Sequence, residues 1–269
     1  MTEAAFLLLA NFILSALIFL ALWGVSIAIR DVSFIDSWWA LGVIVLAWSS
    51  YLQPDAPTPH GLLLALLATL WGLRLGLFLF WRWRKHGRER RYEAMLAEAK
   101  RKRGWGFATT ALLFVFAPQW LLQLIMALPV QISQIGDAPR PFGPLAYTGA
   151  ALAVFGIVYE AIADAQLARF KGDPANRGAV MDRGLWRYSR HPNYFGELCC
   201  WWGLYFIACE TPYGAWSLPG PILLTFLLTR VSGAPTTEPH LQKSRAGYAA
   251  YKARTSAFIP LPPKAQPQR

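Results

Sequence analysis

Apolar residues in this chain come in long blocks, and polar residues collect between the blocks rather than alternating with them. Strict alternation would mark half-buried strands, and a single apolar stripe would mark a helix on a soluble core. Neither pattern dominates. The blocks cover residues 4–29, 38–52, 61–81, 107–128, 144–163, 198–209 and 215–229. About 20 apolar residues in a helix cross a bilayer core. The shorter blocks reach that length by including flanking aromatics, which sit well at the interface. The pattern predicts an all-α integral membrane protein with seven transmembrane helices.

Composition strengthens this reading. The 269 residues are 55% hydrophobic and only 15% charged, against about 25% charged in soluble domains. No basic residue precedes the first block and no small-residue cleavage site follows it, so it is expected to be a retained span. The three cysteines show no disulfide or metal spacing.

The net charge of +11 raises the question of nucleic acid, but its placement answers otherwise. Lys and Arg fall in residues 82–106, 166–195 and 230–269 and at Arg30, whereas Arg140 stands alone in a different loop. With seven spans, all the basic segments share one side. The positive-inside rule then puts the N-terminus outside and the C-terminus in the cytoplasm, in the inner membrane if the source is bacterial. The basic surplus suits anionic lipid headgroups, and no nucleic-acid partner is expected. Residues 82–106 read as a surface helix. The chain reads as one membrane domain over residues 1–262, with a Pro-rich disordered tail at 263–269, and as a monomer.

Ionisable groups inside spans are costly and point to function. Arg74 lies near the middle of the third block, in WGLRLG. Glu160 and Asp164, four apart, share a helix face at the end of the fifth. Glu197 opens the sixth, where a helix N-terminus favours a carboxylate. Gln53 closes the second. Each has a bland alternative: ion pairing, a solvated helix end or simple capping.

The richest stretch is RYSRHPNYFGELCCWWG, residues 187–203. Tyr188, Tyr194, Trp201 and Trp202 alone would pass as an interfacial aromatic belt. A belt has no need of Arg190, His191, Asn193 and Glu197 at three- and four-residue spacing. His191 is pushed out of the α region by Pro192, so a helix starts there with one polar face. Nearby Lys171, Arg177, Arg183, Arg187 and Arg190 suit phosphates. No GxGxxG or P-loop occurs. Any nucleotide would bind without a Rossmann domain.

The segment GLWRYSRHPNYFGELCCWWG resembles the C-terminal core of the membrane steroid 5α-reductase family. DAQLARFK upstream and EPHLQKSRAGYAAYKARTSAFIP downstream resemble that family's cofactor-side and closing segments. The resemblance runs from about residue 145 to 262. It implies NADPH-dependent reduction of the 4,5 double bond of a 3-oxo-Δ4 steroid or similar flat enone lipid. Carried over residue by residue, it places Asp164, Asn193, Glu197 and Trp201 at the nicotinamide and ribose. Tyr188, Arg190 and His191 fall in the same loop, Lys171 on the phosphate side, Arg74 reaching the cofactor, and His240 near a family histidine. Animal members hold the steroid's keto group with a glutamate on the second span and a tyrosine on the third. Here Gln53 and Trp71 stand nearest, with a water or Tyr51 as the expected proton source, and Glu160 replaces an amide. Isoprenylcysteine carboxyl methyltransferases and phospholipid N-methyltransferases carry a similar RHPxYxGE turn, and Arg230 with Glu238 resembles their pattern too. This keeps open an S-adenosylmethionine-dependent methyltransferase acting on a lipid or prenylated thiol.

Overall fold

The computed structural model describes residues 3–53, 58–136 and 141–265. Parts of both expected outer loops, including Arg140, and tail residues 266–269 lie outside the described residues. Among the described residues every regular element is helical, with one isolated β-bridge between Ser189 and Ser256. Among the described residues four helices are long and apolar enough to cross a membrane: Glu3–Ile29, Pro59–His86, Phe107–Met126 and Pro144–Gly172.

Burial is inverted relative to a soluble protein. In helix α1 (Glu3–Ile29) the polar Asn11 is 0% exposed, whereas Leu17 on the same helix is 60% exposed. In water that arrangement would cost burial energy twice over. In lipid it is what satisfies hydrogen-bonding groups. The chain is a membrane protein.

The chain forms two compact units. The first comprises Met1–Tyr147 and Leu204–Gly220. It contains α1, α2 (Ile35–Tyr51), α3 (Pro59–His86), α4 (Arg90–Arg103), α5 (Phe107–Ala111), α6 (Ala117–Met126) and α7 (Leu128–Ile132). Helices α2 and α3 form a close antiparallel pair. A Cβ on Gly72 would lie 2.8 Å from the Ala40 carbonyl oxygen, and one on Gly76 2.6 Å from the Leu41 side chain. Two small residues four apart let helix backbones approach in this way. Between α5 and α6 the helix widens into a π turn, Leu112–Phe116. Pro118 explains it: a proline has no N–H and its ring strikes the carbonyl four residues back, and the wider turn relieves the clash. Asn11 donates to Ser50 Oγ (2.7 Å) and Gln131 Oε1 (3.0 Å), so the one amide of α1 ties three helices.

The fourth predicted span therefore stops at Met126, two residues short of expectation. The surface helix expected within 82–106 is α4, Arg90–Arg103, while α3 runs on to His86. Helix α4 buries Tyr92 and Ala99 and leaves its cations exposed. Its final residue is followed by Gly104 in the left-handed conformation (φ 68°), which ends the helix without a Cβ penalty.

The second unit comprises Thr148–Gly203 and Pro221–Arg269. It holds most of α8 (Pro144–Gly172), most of α9 (Pro192–Ala208), α10 (Pro219–Phe226) with a π turn at Leu227–Val231, α11 (Ala234–Ser244) and α12 (Tyr248–Arg254). Helices α8 and α9 are antiparallel neighbours with glycines at their crossing. A Cβ on Gly196 would lie 2.7 Å from Glu160 N, and one on Gly203 2.5 Å from the Gly149 carbonyl oxygen. Helix α8 continues past the predicted end at residue 163, and α9 begins at Pro192, six residues before the predicted block. The polar ends of both helices are thus helical. The backbone is hydrogen-bonded as far as Lys264, whose N–H donates to the Arg254 carbonyl (2.9 Å), so order extends into the expected tail.

Candidate functional site

The glycine-spaced pair α8/α9 sets the site. Because Gly196 rests on Glu160, the next turns bring Asp164 opposite Asn193, and Asn193 Nδ2 donates to Asp164 Oδ1 at 3.2 Å. Asn193, Glu197 and Trp201 follow at four-residue steps on α9 and form one stripe. Burial deepens along it, with Glu197 at 7% and Trp201 at 0% exposure. Glu160 (2%) and Asp164 (7%) are buried on α8. Three carboxylates and an amide therefore line the polar end of two apolar helices. They offer acceptors for ligand hydroxyl or ammonium groups and donors for a carbonyl.

The segment before α9 is held as a rigid arch. Trp186 Nε1 donates to the Ala163 carbonyl (3.0 Å), and the Leu185 N–H to Gln166 Oε1 (2.9 Å). The Ser189 hydroxyl donates to the Phe258 carbonyl (2.7 Å), and the Arg190 N–H to the Ser256 carbonyl (2.8 Å). Tyr251 donates its phenol to the Trp186 carbonyl. The C-terminal segment thus closes over the RHPN turn.

At the centre of this closure is Glu238. Its Oε1 accepts from Arg190 Nε (2.8 Å) and from His191 Nε2 (3.1 Å), and its Oε2 pairs with Lys252 Nζ (2.8 Å). Burial alone would raise the Glu238 carboxyl, but bonds from His191, Arg190 and Lys252 outweigh it and hold it well below the usual carboxylate range. The His191 ring stacks on Tyr194 (5.2 Å, 6°) and on Phe258 (5.5 Å, 27°). Burial first, and then the Glu238 charge, push the nearby Tyr248 phenol up to about 12.

Several expectations change in this light. Arg190 was expected at a cofactor, but its guanidinium also donates to the Thr255 (2.6 Å) and Lys252 (3.3 Å) carbonyls, so it is committed to the closure. His191 is buried in the same closure. The acidic partner in that segment is Glu238, bound by Arg190 rather than by the exposed Arg230. His240 is exposed on α11, and Tyr188 and Lys171 are exposed as well. The signal for Glu238 was present as a lone carboxylate amid the cations of residues 230–254, but its partners lie 14 to 48 residues away.

The residues expected to meet a substrate belong to the first unit, and the structure does not gather them. The α2/α3 register places Gly72 at Ala40 and Ile44, and Trp48 Nε1 donates to Thr69 Oγ1 (2.9 Å). Trp71 therefore sits opposite the middle of α2, on the order of 13 Å along the axis from Gln53. Trp71 (0% exposed) is a packed core residue, and Arg74 lies one turn beyond it. Tyr51 packs edge-on against Trp48 (5.6 Å). Gln53 Nε2 donates to the Ser49 carbonyl (2.9 Å), and its buried Oε1 has no hydrogen-bond partner among the described residues. In this rotamer Gln53 presents an acceptor, not the donor expected for a keto group. No group of three or more metal-ligating side chains occurs among the described residues.

A family described as proteins of unknown function, DUF1295, matches residues 22–255, and the chain belongs to that family. An uncharacterized protein of Schizosaccharomyces pombe (strain 972 / ATCC 24843) is 27% identical over 223 residues, covering 74% of this chain and 62% of that protein. The chain therefore spans less than two thirds of that relative's length. No solved structure matches the chain.

Proposed function

We propose that this DUF1295 protein is a seven-span membrane reductase that uses NADPH to reduce the double bond of an enone lipid, a 3-oxo-Δ4 steroid or a similar flat molecule. The observation that carries the reading is the stripe Asn193–Glu197–Trp201 facing Asp164 at the polar end of α8/α9. The donor set fits a dinucleotide's uncharged half. Carboxylates at Asp164 and Glu197 accept ribose hydroxyls, and the Asn193 amide matches a carboxamide. The exposed cations Lys171, Arg177, Arg183 and Arg187 suit the phosphates. Bound NADPH would supply the hydride. Trp201 closes the floor of the site and excludes water, and the Glu238 closure fixes the RHPN turn that positions Asn193. On the substrate side, Gln53 holds the carbonyl only after its amide turns from Ser49. A donor placed there is worth about 2.7–4 kcal/mol to a developing enolate. The N-terminus lies outside and the basic ends lie in the cytoplasm.

The buried carboxylates Glu160, Asp164 and Glu197 favour a second reading. A trio of acids suits the ammonium and sulfonium of S-adenosylmethionine better than the charge of a dinucleotide, and would make the protein a lipid methyltransferase. One experiment separates the two. Detergent-solubilised protein is melted with NADPH, NADH or S-adenosylmethionine, and a ligand at 100 times its Kd adds about 2.7 kcal/mol. Stabilisation by NADPH that disappears in Asn193→Ala and Glu197→Ala is the expected result. Stabilisation by S-adenosylmethionine alone overturns the reductase.

A further inference from the structure

A second polar site lies in the first unit, where α1 and α3 end and α2 and α5 begin, beside the surface helix α4. A cavity of about 260 Å³ opens there, lined among others by Arg30, Asp31, Arg88, Glu93, Leu96 and Phe107. It is smaller than the roughly 300–1,000 Å³ typical of sites for drug-sized ligands. Its scale is that of a headgroup rather than of a whole lipid.

Arg30 is the only described non-glycine residue with positive φ (55°). Such a conformation is uncommon for a residue with a side chain and collects at ligand sites. Its guanidinium lies over the Phe107 ring at 5.7 Å, held at the cavity wall by a cation–π contact. Arg88 forms the other cationic wall. The Asp31 carboxylate is already committed: Oδ1 accepts from the Ser33 N–H (2.8 Å) and Oδ2 from Trp83 Nε1 (2.8 Å). The exposed Glu93, in the first turn of α4, adds a second carboxylate to the lining. Val32, Leu96 and Phe107 add apolar lining, Phe107 at the start of the apolar helix Phe107–Met126.

Two guanidiniums and two carboxylates line this small cavity; Asp31 already holds the Ser33 and Trp83 N–H groups, so Arg30 and Arg88 on one hand and Glu93 on the other make the complement of a zwitterion. We propose that this cavity binds the headgroup of an amine-bearing glycerophospholipid, with the phosphodiester on Arg30 and Arg88 and the ammonium toward Glu93. Arginine forks match phosphate oxygens, and a compact ammonium with three donors suits a carboxylate. A choline head, with no N–H, lacks those donors. Phosphatidylglycerol lacks the ammonium.

The test uses full-length protein stripped of lipid in detergent. Retention is measured by native mass spectrometry after adding phosphatidylethanolamine, phosphatidylglycerol, phosphatidylcholine, soluble phosphoethanolamine or inorganic phosphate. Phosphatidylethanolamine is expected to bind at least tenfold better than the other two lipids. Arg30→Gly relieves the positive φ while deleting the cation, so it should melt no lower than the parent yet bind at least tenfold more weakly. Arg88→Ala should lose binding similarly, and Glu93→Gln should erase the preference over phosphatidylglycerol. The exposed pair Arg101→Ala/Lys102→Ala should leave retention unchanged. Equal retention of phosphatidylethanolamine and phosphatidylglycerol by the parent would overturn the assignment. So would unchanged retention in both arginine variants, or an equal loss in the Arg101/Lys102 variant. Soluble phosphate or phosphoethanolamine binding as tightly as the lipid would overturn its membrane source.

Discussion

Glu238 meets the Arg190, His191 and Lys252 side chains with two oxygens, and that ties the closure of the second unit to the charge of one carboxylate. Its folded pKa lies below its ordinary value of 4.5. The sign follows. Its stabilisation is complete above that ordinary value and drains away as pH falls toward the folded one. Glu238→Gln should therefore cost about 1.5–3 kcal/mol at pH 7, the worth of hydrogen bonds to a charged group. The cost should shrink as pH is lowered from 7 to 3. Amide hydrogen exchange in residues 248–264 reads it, and a gap between parent and variant that stays constant with pH refutes the closure. Gln53→Ala asks a separate question. Turnover of an enone should fall at least tenfold while stabilisation by NADPH persists, and parent-like turnover would remove Gln53 from the substrate site. The stripe at Asn193 and Glu197 could be read from four-residue spacing. The hydrogen bond spending the Gln53 amide on Ser49 could not, since a rotamer leaves no trace in residue order.

At the level of helices, glycine placement decides which polar groups meet. A Cβ at Gly196 would strike backbone atoms of Glu160 and Gly156, which cannot swing aside as a side-chain tip can. Gly196→Ala should destabilise by about 1–3 kcal/mol and, by prying α8 from α9, weaken the Asp164–Asn193 contact and NADPH binding with it. Gly24, with nothing within 4 Å of its would-be Cβ, is the control. Gly24→Ala in mid-helix should raise stability by roughly 0.5–1 kcal/mol. Thermal melts of the two variants should move in opposite directions. Helix type was legible throughout because apolar blocks of this length have no alternative in lipid. The boundaries were not. The apolar block ends at residue 163, whereas α8 carries its hydrogen-bonding ladder through Asp164 to Gly172. The π turn before Pro118 was likewise invisible to any apolar count.

Across the whole molecule, the proposed orientation rests on the distribution of Lys and Arg. Basic residues crowd the segment from Arg82 to Arg103, and residues 53–58 have none. In a variant lacking Cys199, Cys200 and Cys209, Thr58→Cys should react with an impermeant thiol reagent on intact cells, and His86→Cys should react only after lysis. The reverse pattern overturns the orientation. Charge asymmetry could be counted from residue order, but the Arg190–Glu238–Lys252 cluster could not. Its members are separated by 48 and 14 residues, and only the fold makes them neighbours.

The start of α8 is capped from a distance. Glu210 accepts the N–H groups of Gly143 (2.8 Å) and Ala146 (3.0 Å) and pairs with His60 (2.9 Å). During synthesis, sequence separation is elapsed time. Glu210 emerges 64 residues after Ala146, a wait of about 3 to 13 s at 5–20 residues per second. Through that interval the Gly143 and Ala146 N–H groups and His60 lack this carboxylate. The clasp can form only after α9 has been made, with α10, α11 and α12 still to follow. Damage to Glu210 should register as lost membrane yield, with the surviving molecules binding cofactor as the parent does.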